Sequence, residues 1–291
     1  MTGSVTTMAH GAIGVFDSGV GGLSVLRHIR QTLPSEPLVY VSDAGFAPYG
    51  DKSEAFVLAR SLVIAEFLID SGAKALVIAC NTATAASIHA IRLRYPAIPV
   101  VGVEPGLKPA AVISATRIVG VLATYRTLAS DRFLRLQKQI EVATGVRFLL
   151  QPCPGLADQI ERGALRSPVT ARLVDSFVHP LLEKKADALV LGCTHYPFVL
   201  PLIHSAIVHC PAGIDPISIH IIDTGAAVAR QLATVLQHGE LLHAVDAAGS
   251  VAAFTTGSCG KLSQAMKKLL AVSVPTMALT APAADQQPAL F

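Results

Sequence analysis

The sequence predicts an α/β fold built from two similar halves, each around a parallel β-sheet. Short aliphatic runs without polar alternation indicate strands that are buried on both faces. These runs alternate with longer segments whose apolar residues recur at helical spacing, which favours βαβ units. One pattern also occurs twice, since residues 74–82 are KALVIACNT and residues 187–195 are DALVLGCTH. The repeat indicates two related halves with a ligand site between them.

Each copy of the repeat places a cysteine where a strand ends and a helix is expected to begin. These cysteines are Cys80 and Cys193. Ligands of open α/β sheets bind at this edge, and a helix N-terminus stabilises a thiolate. We therefore expect the two thiols to face each other across one site.

The first half has four predicted strands, each followed by a helix or a turn. The strands are expected at 13–16, 38–41, the run that ends at Cys80, and 98–103. Leu23, Leu26 and Ile29 have helical spacing after the first strand. Ser53 is a suitable N-cap for a helix to about residue 71, and the helix after Cys80 is expected to reach Arg94.

A second series of elements begins near residue 105. Helices are expected at 105–115, from the turn at 123–125 through about 144, at 156–162, at 170–185, after Cys193, from the turn at 223–225 to about 237, and at 261–270. Strands are expected at 118–122, 148–150, the run before Cys193, 217–222 and 250–256. This order predicts two flavodoxin-like domains related by a pseudo-twofold axis. The first domain is expected to comprise 11–104 together with 217–280, and the second to comprise 105–216. The tails at 1–10 and 281–291 are expected to be mobile.

Composition excludes several classes of function. The 291 residues are 52% hydrophobic and 15% charged, which excludes a disordered chain. The net charge is +3 and the basic residues form no continuous stripe, which argues against a nucleic-acid-binding surface. The longest uncharged run, 188–214, contains three prolines and three histidines, which argues against a membrane span. Five cysteines without a CxxC pair predict no disulfide framework and no zinc site, and therefore a reducing, cytoplasmic location.

Two thiols on opposite faces of a bound carbon acid could invert its configuration. One thiolate removes a proton from one face, and the other thiol returns a proton to the opposite face, so no cofactor or metal is needed. His195 and Asp17 are placed to assist this transfer. Short donors at the predicted helix starts could bind a carboxylate together with backbone N–H groups. These donors are Ser18, Asn81, Thr82 and Thr194.

Two other classes remain as alternatives. The glycine-rich turn at 19–22 followed by Asp43 imitates a dinucleotide-binding fingerprint, but it lacks the glycine at the sixth position, and Asp17 would repel a pyrophosphate. A non-catalytic protein that binds a small anion could use the same cleft, but it would not need paired cysteines. The other three cysteines are interpreted as apolar core residues: Cys153, Cys210 and Cys259.

Five motifs, in this order, carry a resemblance to a known family. They are FDSGVGGL at 16–23, APYG at 47–50, ACNTA at 79–83, GVEPG at 102–106 and LGCTHYP at 191–197. Together they resemble the cofactor-independent aspartate/glutamate racemase family over residues 14–225. Aspartate racemases of this family usually have a Glu residue at the position of His195. The histidine here therefore favours glutamate over aspartate as the substrate.

The resemblance implies an isomerase that interconverts L- and D-glutamate, supplies D-glutamate for peptidoglycan and forms a homodimer. It implies that Cys80 acts on the D-isomer with help from Asp17, and that Cys193 acts on the L-isomer with help from His195. The substrate contacts that it implies are Asp17, Ser18, Pro48, Tyr49, Gly50, Asn81, Thr82, Thr124, Glu161, Thr194 and His195.

Overall fold

Ten strands form two parallel sheets in the parts of the chain that the computed structural model describes, residues 11–213, 215–243 and 247–280. The predicted tails at 1–10 and 281–291 lie outside the described residues. In chain order the strands are β1 (Ile13–Asp17), β2 (Leu38–Ser42), β3 (Ala75–Ile78), β4 (Val100–Gly102), β5 (Ile118–Ala123), β6 (Arg147–Pro152), β7 (Ala188–Gly192), β8 (His220–Ile222), β9 (Val251–Thr255) and β10 (Thr276–Ala278). The α/β class predicted from the sequence is confirmed.

The helices connect these strands and cover both faces of the sheets. They are α1 (Leu23–Thr32), α2 (Glu54–Asp70), α3 (Asn81–Arg94), α4 (Leu107–Ile113), α5 (Tyr125–Leu128), α6 (Asp131–Thr144), α7 (Leu156–Glu161), α8 (Pro168–Glu183), α9 (Leu200–Val208), α10 (Gly225–His238) and α11 (Cys259–Leu270). Among the helices of the described residues, none is both long enough and apolar enough to cross a bilayer.

Strand order brings the predicted site residues to one edge of each sheet. The first sheet has the order β10-β9-β2-β1-β3-β4, and the second has the order β6-β5-β7-β8. In the first sheet, Phe16 is in register with Ile78, so Asp17 and Cys80 follow at the same carboxyl edge. In the second sheet, Ala123 is in register with Gly192, and Cys193 follows at the corresponding edge. Parallel pairing therefore produces the two strand-end clusters.

The sheet boundary along the chain differs from the predicted one. Residues 217–222 were expected to return to the first half, but β8 pairs with β7 in the second sheet. The backbone N–H of His220 donates to the Asp187 carbonyl at 2.8 Å, which holds β8 at this edge. The chain returns to the first half only with α10, which packs against α1.

The segment after Cys193 also differs from the prediction. A 3-10 helix at Tyr196–Val199 follows the strand, and α9 begins only at Leu200. Pro201 has no N–H to donate to the Pro197 carbonyl, and its ring would clash with that carbonyl in a continuous helix. Cys80, in contrast, is the N-cap residue of α3, as expected.

The helix expected to follow the turn at 123–125 and to reach residue 144 is divided into α5 and α6. Ser130 caps the second helix, because its hydroxyl accepts a hydrogen bond from the Phe133 N–H at 3.3 Å. A serine oxygen in this position satisfies one of the backbone donors that a new helix leaves free. The division makes Thr124 the N-cap of a short separate helix, with its side chain at the edge of the second sheet.

Apolar packing of α2 against the first sheet is expected to contribute strongly to stability. Leu68 on α2 is fully buried, whereas Leu93 on the adjacent α3 is 83% exposed. Replacing Leu68 by Ala should lower the free energy of unfolding by about 3 kcal/mol, because it removes buried methyl groups and leaves a cavity. The matched Leu93→Ala change should cost at most about 0.5 kcal/mol. Urea unfolding of both variants checks this, and equal losses would contradict the packing described here.

Candidate active site

A cavity of about 230 Å³ lies between the carboxyl edges of the two sheets. Both halves contribute to its lining. The first half provides Ser18, Pro48, Tyr49, Gly50, Asp51, Cys80, Asn81 and Thr82. The second half provides Thr124, Tyr125, Pro152, Cys153, Pro154, Gly155, Ala157, Asp158, Gly192, Cys193, Thr194 and His195.

The structure brings both predicted cysteines and most of the predicted contact residues to this one cavity. Asp17 and Glu161 do not line it. Asp17 is fully buried next to Ser18, and Glu161 lies on the far side of His195. These two carboxyl groups can therefore act on a bound molecule only through their neighbours.

Cys80 is held by the start of α3. Its sulfur accepts a hydrogen bond from the Ala83 N–H at 3.4 Å, and it lies 4.0 Å from the Ser18 hydroxyl. Burial raises the pKa of the Cys80 thiol well above its ordinary value, and the charge of Asp17 raises it further. The protonated thiol is therefore the favoured form of Cys80 at neutral pH.

Asp17 organises the glycine-rich turn that follows β1. Its carboxylate accepts hydrogen bonds from the Ser18 N–H at 2.7 Å and from the Gly22 N–H at 2.5 Å. Burial raises the pKa of Asp17, while the positive charge of His195 and the Gly22 hydrogen bond oppose that shift. The side chain thus has two effects: it holds the turn in place and acts electrostatically on Cys80.

Cys193, His195 and Glu161 form a chain of three polar groups. The Cys193 sulfur is 3.6 Å from His195 Nδ1, and His195 Nε2 is 2.6 Å from Glu161 Oε1. Burial lowers the pKa of His195, but its contacts with Cys193 and Glu161 outweigh this and raise the pKa well above the ordinary value. Burial likewise raises the pKa of Glu161, and the hydrogen bond with His195 reverses this to a net lowering. The chain places an imidazolium cation next to the Cys193 sulfur.

Two glycines of the first half leave the space that this chain occupies. A Cβ atom at Gly19 would collide with the Glu161 carboxylate, and one at Gly21 would collide with the His195 ring. Glu161 also accepts a hydrogen bond from the Val20 N–H at 2.7 Å. The glycine-rich turn, which the sequence suggested would let a ligand approach, instead permits close approach of the two halves.

The amide of Asn81 is available for a ligand. Among the described residues, neither its oxygen nor its nitrogen has a hydrogen-bond partner, although both atoms are buried. A buried, unpaired amide is costly, so a partner in the adjoining cavity would remove this penalty. Asn81 remains a predicted substrate contact, and it lines the cavity.

Three threonine hydroxyl groups join the halves beside Asn81. Thr82 Oγ1 lies 3.1 Å from Thr124 Oγ1 and 3.2 Å from Thr127 Oγ1. The Thr124 hydroxyl also caps α5, accepting from the Thr127 N–H at 3.2 Å. Thr127 was not predicted from the sequence, although its spacing of three residues from a helix-capping threonine is a usable signal.

The structure argues against the dinucleotide-binding alternative. Asp43, the acidic residue of the imitated fingerprint, is fully buried and forms hydrogen bonds with Arg60 and Tyr49. It is therefore not placed to bind a ribose. Within the described ranges, no group of three or more histidine, cysteine or acidic residues is arranged to hold a metal ion.

One cysteine from each parallel-sheet half lines the same cavity, an arrangement that suits the class of enzymes that move protons at carbon. Comparison with known proteins agrees, because residues 13–232 match the family described as Asp/Glu/Hydantoin racemase. The chain belongs to this family. A curated relative, the glutamate racemase of Ectopseudomonas mendocina (strain ymp), is 50% identical over 258 residues, which cover 89% of this chain and 94% of the relative.

Solved structures to which this chain is similar are also glutamate racemases. Glutamate racemase isoform RacE1 from Bacillus anthracis superposes with a TM-score of 0.80 at 31% identity, covering 94% of this chain and 98% of that one. Escherichia coli glutamate racemase, in complex with L-glutamate and the activator UDP-MurNAc-ala, has a TM-score of 0.75 at 32% identity. The superposition covers 92% of this chain and 97% of that one. The two-domain fold predicted from the sequence is thereby confirmed.

The Glu161 carboxylate is expected to control the protonation of His195. In Glu161→Gln the neutral amide no longer stabilises the imidazolium, so the pKa of His195 should fall toward its ordinary value. NMR titration of the imidazole resonances measures this pKa directly. Glu66→Gln is the matched control, because Glu66 forms an exposed ion pair with Arg94. An unchanged His195 pKa in Glu161→Gln would contradict the described geometry.

Proposed function

We propose that this protein is a glutamate racemase, which interconverts L- and D-glutamate by proton transfer at the α-carbon without a cofactor. The observation that carries the proposal is the placement of Cys80 and Cys193, which reach one cavity from equivalent strand ends of the two halves. The choice of glutamate is supported by the relatives named above, and by His195 directly after the Cys193-Thr194 pair.

The reaction needs one base and one acid on opposite faces of the substrate. For L-glutamate, the Cys193 thiolate takes the α-proton, and the Cys80 thiol delivers its own proton to the other face. The reverse reaction exchanges these roles, so each turnover leaves the opposite protonation state. His195 balances the charge on the Cys193 sulfur, while Asp17 assists proton transfer at Cys80.

Recognition of the substrate is assigned to polar groups around the cavity. In the first half, the Asn81 amide and the Ser18 and Thr82 hydroxyl groups bind one carboxylate with nearby backbone N–H groups. Thr124 and Thr194 bind from the second half. Pro48, Tyr49 and Gly50 form the remaining wall, and Asp17, His195 and Glu161 orient these contacts through the network described above.

The cellular role follows from the reaction. D-glutamate is a building block of peptidoglycan, so the proposed role is its supply for cell-wall synthesis in the cytoplasm. We propose that the enzyme works as a homodimer of two-domain subunits. The domain division is placed near residue 105 and, because β8 pairs with β7, after residue 222.

A direct assay tests the proposed activity. The purified protein is incubated with L-glutamate and a chelator, without added cofactor, and the loss of optical rotation is followed. Racemisation is the expected result. An unchanged rotation, with a protein that is folded by circular dichroism, would contradict the proposal.

Replacement of either thiol is expected to stop racemisation. Cys80→Ser and Cys193→Ser should each lower kcat by about 1,000-fold or more, because a serine hydroxyl is a far weaker acid and base near neutral pH. Cys210→Ser is the matched control, since Cys210 is also buried and reduced but lies in the core of the second half. Retention of wild-type kcat in either of the first two variants would rule out the two-thiol mechanism.

A further inference from the structure

A buried network holds Tyr49, one of the residues that line the cavity. The Tyr49 hydroxyl donates to Asp43 Oδ2 at 2.5 Å, and both side chains are almost completely buried. Burial raises the pKa of Tyr49 well above its ordinary value, with a further contribution from the Asp43 carboxylate, so the phenol stays protonated. The hydroxyl of Tyr49 is therefore used in the hydrogen bond to Asp43, which fixes the position of this cavity-lining residue.

Arg60 neutralises Asp43 inside the protein. Its Nε donates to Asp43 Oδ2 at 3.0 Å, and its Nη2 donates to Oδ1 at 2.9 Å. Arg60 is fully buried on α2, with its guanidinium 3.7 Å from the centre of the Phe46 ring. A buried charge pair of this kind is tolerated only when its geometry and hydrogen bonds are well satisfied. The pair is thus a rigid support beneath the loop that carries Tyr49.

Thr256 connects this support to a distant part of the chain. It lies directly after β9, and its hydroxyl donates to Asp43 Oδ1 at 2.8 Å. The Thr256 hydroxyl oxygen also accepts a hydrogen bond from the Gly45 N–H at 3.0 Å, and the Thr256 N–H donates to the Ser42 carbonyl at 3.2 Å. One residue of the late segment therefore holds both the carboxylate and the start of the loop that leads to Tyr49.

The network also touches the catalytic strand. The backbone N–H of Asp43 donates to the Asp17 carbonyl at 2.9 Å, so the support and the acid/base residues share one sheet edge. On the other side of the turn, the Thr124 side chain packs closely on Gly50. A Cβ atom added at Gly50 would lie only 3.1 Å from that threonine side chain. A small displacement of the turn would therefore change the width of the cavity.

We propose that Asp43, Arg60 and Thr256 are positioning residues that hold the substrate-facing turn, residues 48–50, at the distance a glutamate needs. The inference rests on the proposed function, because it assigns substrate contact to this turn. It gives Asp43 a role that the fingerprint-like spacing of the sequence did not predict. None of the three side chains lines the cavity, so they act through Tyr49 and its neighbours.

Thr256→Val tests the proposal with little change in side-chain size. KM for both enantiomers should rise about 3- to 10-fold, because valine loses the hydrogen bond to Asp43 and the hydrogen bond from the Gly45 N–H, while kcat stays within about 2-fold. Thr256→Ser keeps the hydroxyl and should restore the wild-type KM. Thr276→Val is the matched control, because among the residues that the structure describes the Thr276 hydroxyl donates within its own segment, to the Val274 carbonyl, and not to Asp43.

Amide hydrogen exchange supplies a readout that does not depend on activity. Exchange in a peptide spanning residues 44–52 should become faster in Thr256→Val, whereas peptides from β1 and β3 should be unchanged. Thr256→Val and Tyr49→Phe should also be non-additive in KM, since both act through Asp43.

Three results would overturn the inference: a wild-type KM in Thr256→Val, the same KM in Thr256→Ser as in Thr256→Val, or additive effects with Tyr49→Phe. These results require an active wild-type enzyme, so they leave the proposed function intact. A wild-type protein that does not racemise glutamate would contradict the proposed function, and the inference with it.

Discussion

The contact between Glu161 and the glycine-rich turn is the constraint on which the site depends. One carboxylate of the second half accepts hydrogen bonds from the Val20 N–H of the first half and from His195. Neither Gly19 nor Gly21 could carry a side chain without displacing a member of this contact. Because the two halves meet here without a gap, the positions of the strand ends that carry Cys80 and Cys193 are linked. The cavity between them has a defined width for the same reason.

The electrostatic surroundings of the two thiols are opposite in sign. Cys80 lies near a buried carboxylate, Asp17, which favours the neutral thiol. Cys193 lies 3.6 Å from the ring of His195, whose positive charge is supported by Glu161. This contrast suits the proposed inversion of L-glutamate, in which one sulfur accepts a proton while the other still holds one. Burial strengthens the contrast, since charges interact more strongly away from water.

The sequence predicts those features that depend on short-range patterns. Buried parallel strands have a strong apolar signature, and the residue after each strand end is then placed by the sheet itself, which is why Cys80 and Cys193 could be found. The pairing partner of β8 could not be predicted in the same way, because a strand of three residues, none of them buried, has no clear periodicity. The role of Thr256 depends on contacts with residues more than 200 positions away. Such contacts exist only once the late strand β9 has paired with β2.

In the proposed mechanism, two different groups act on the two faces of the α-carbon. Its most direct test is the reaction of L-glutamate in D2O, stopped at low conversion, with deuterium at the α-carbon measured separately in each enantiomer. If Cys193 removes the proton and a solvent-exchanged Cys80 delivers its replacement, the D-glutamate formed carries deuterium and the remaining L-glutamate carries almost none. A single base would return the original proton to some of the product and place label in both pools. That distribution would contradict the two-thiol account.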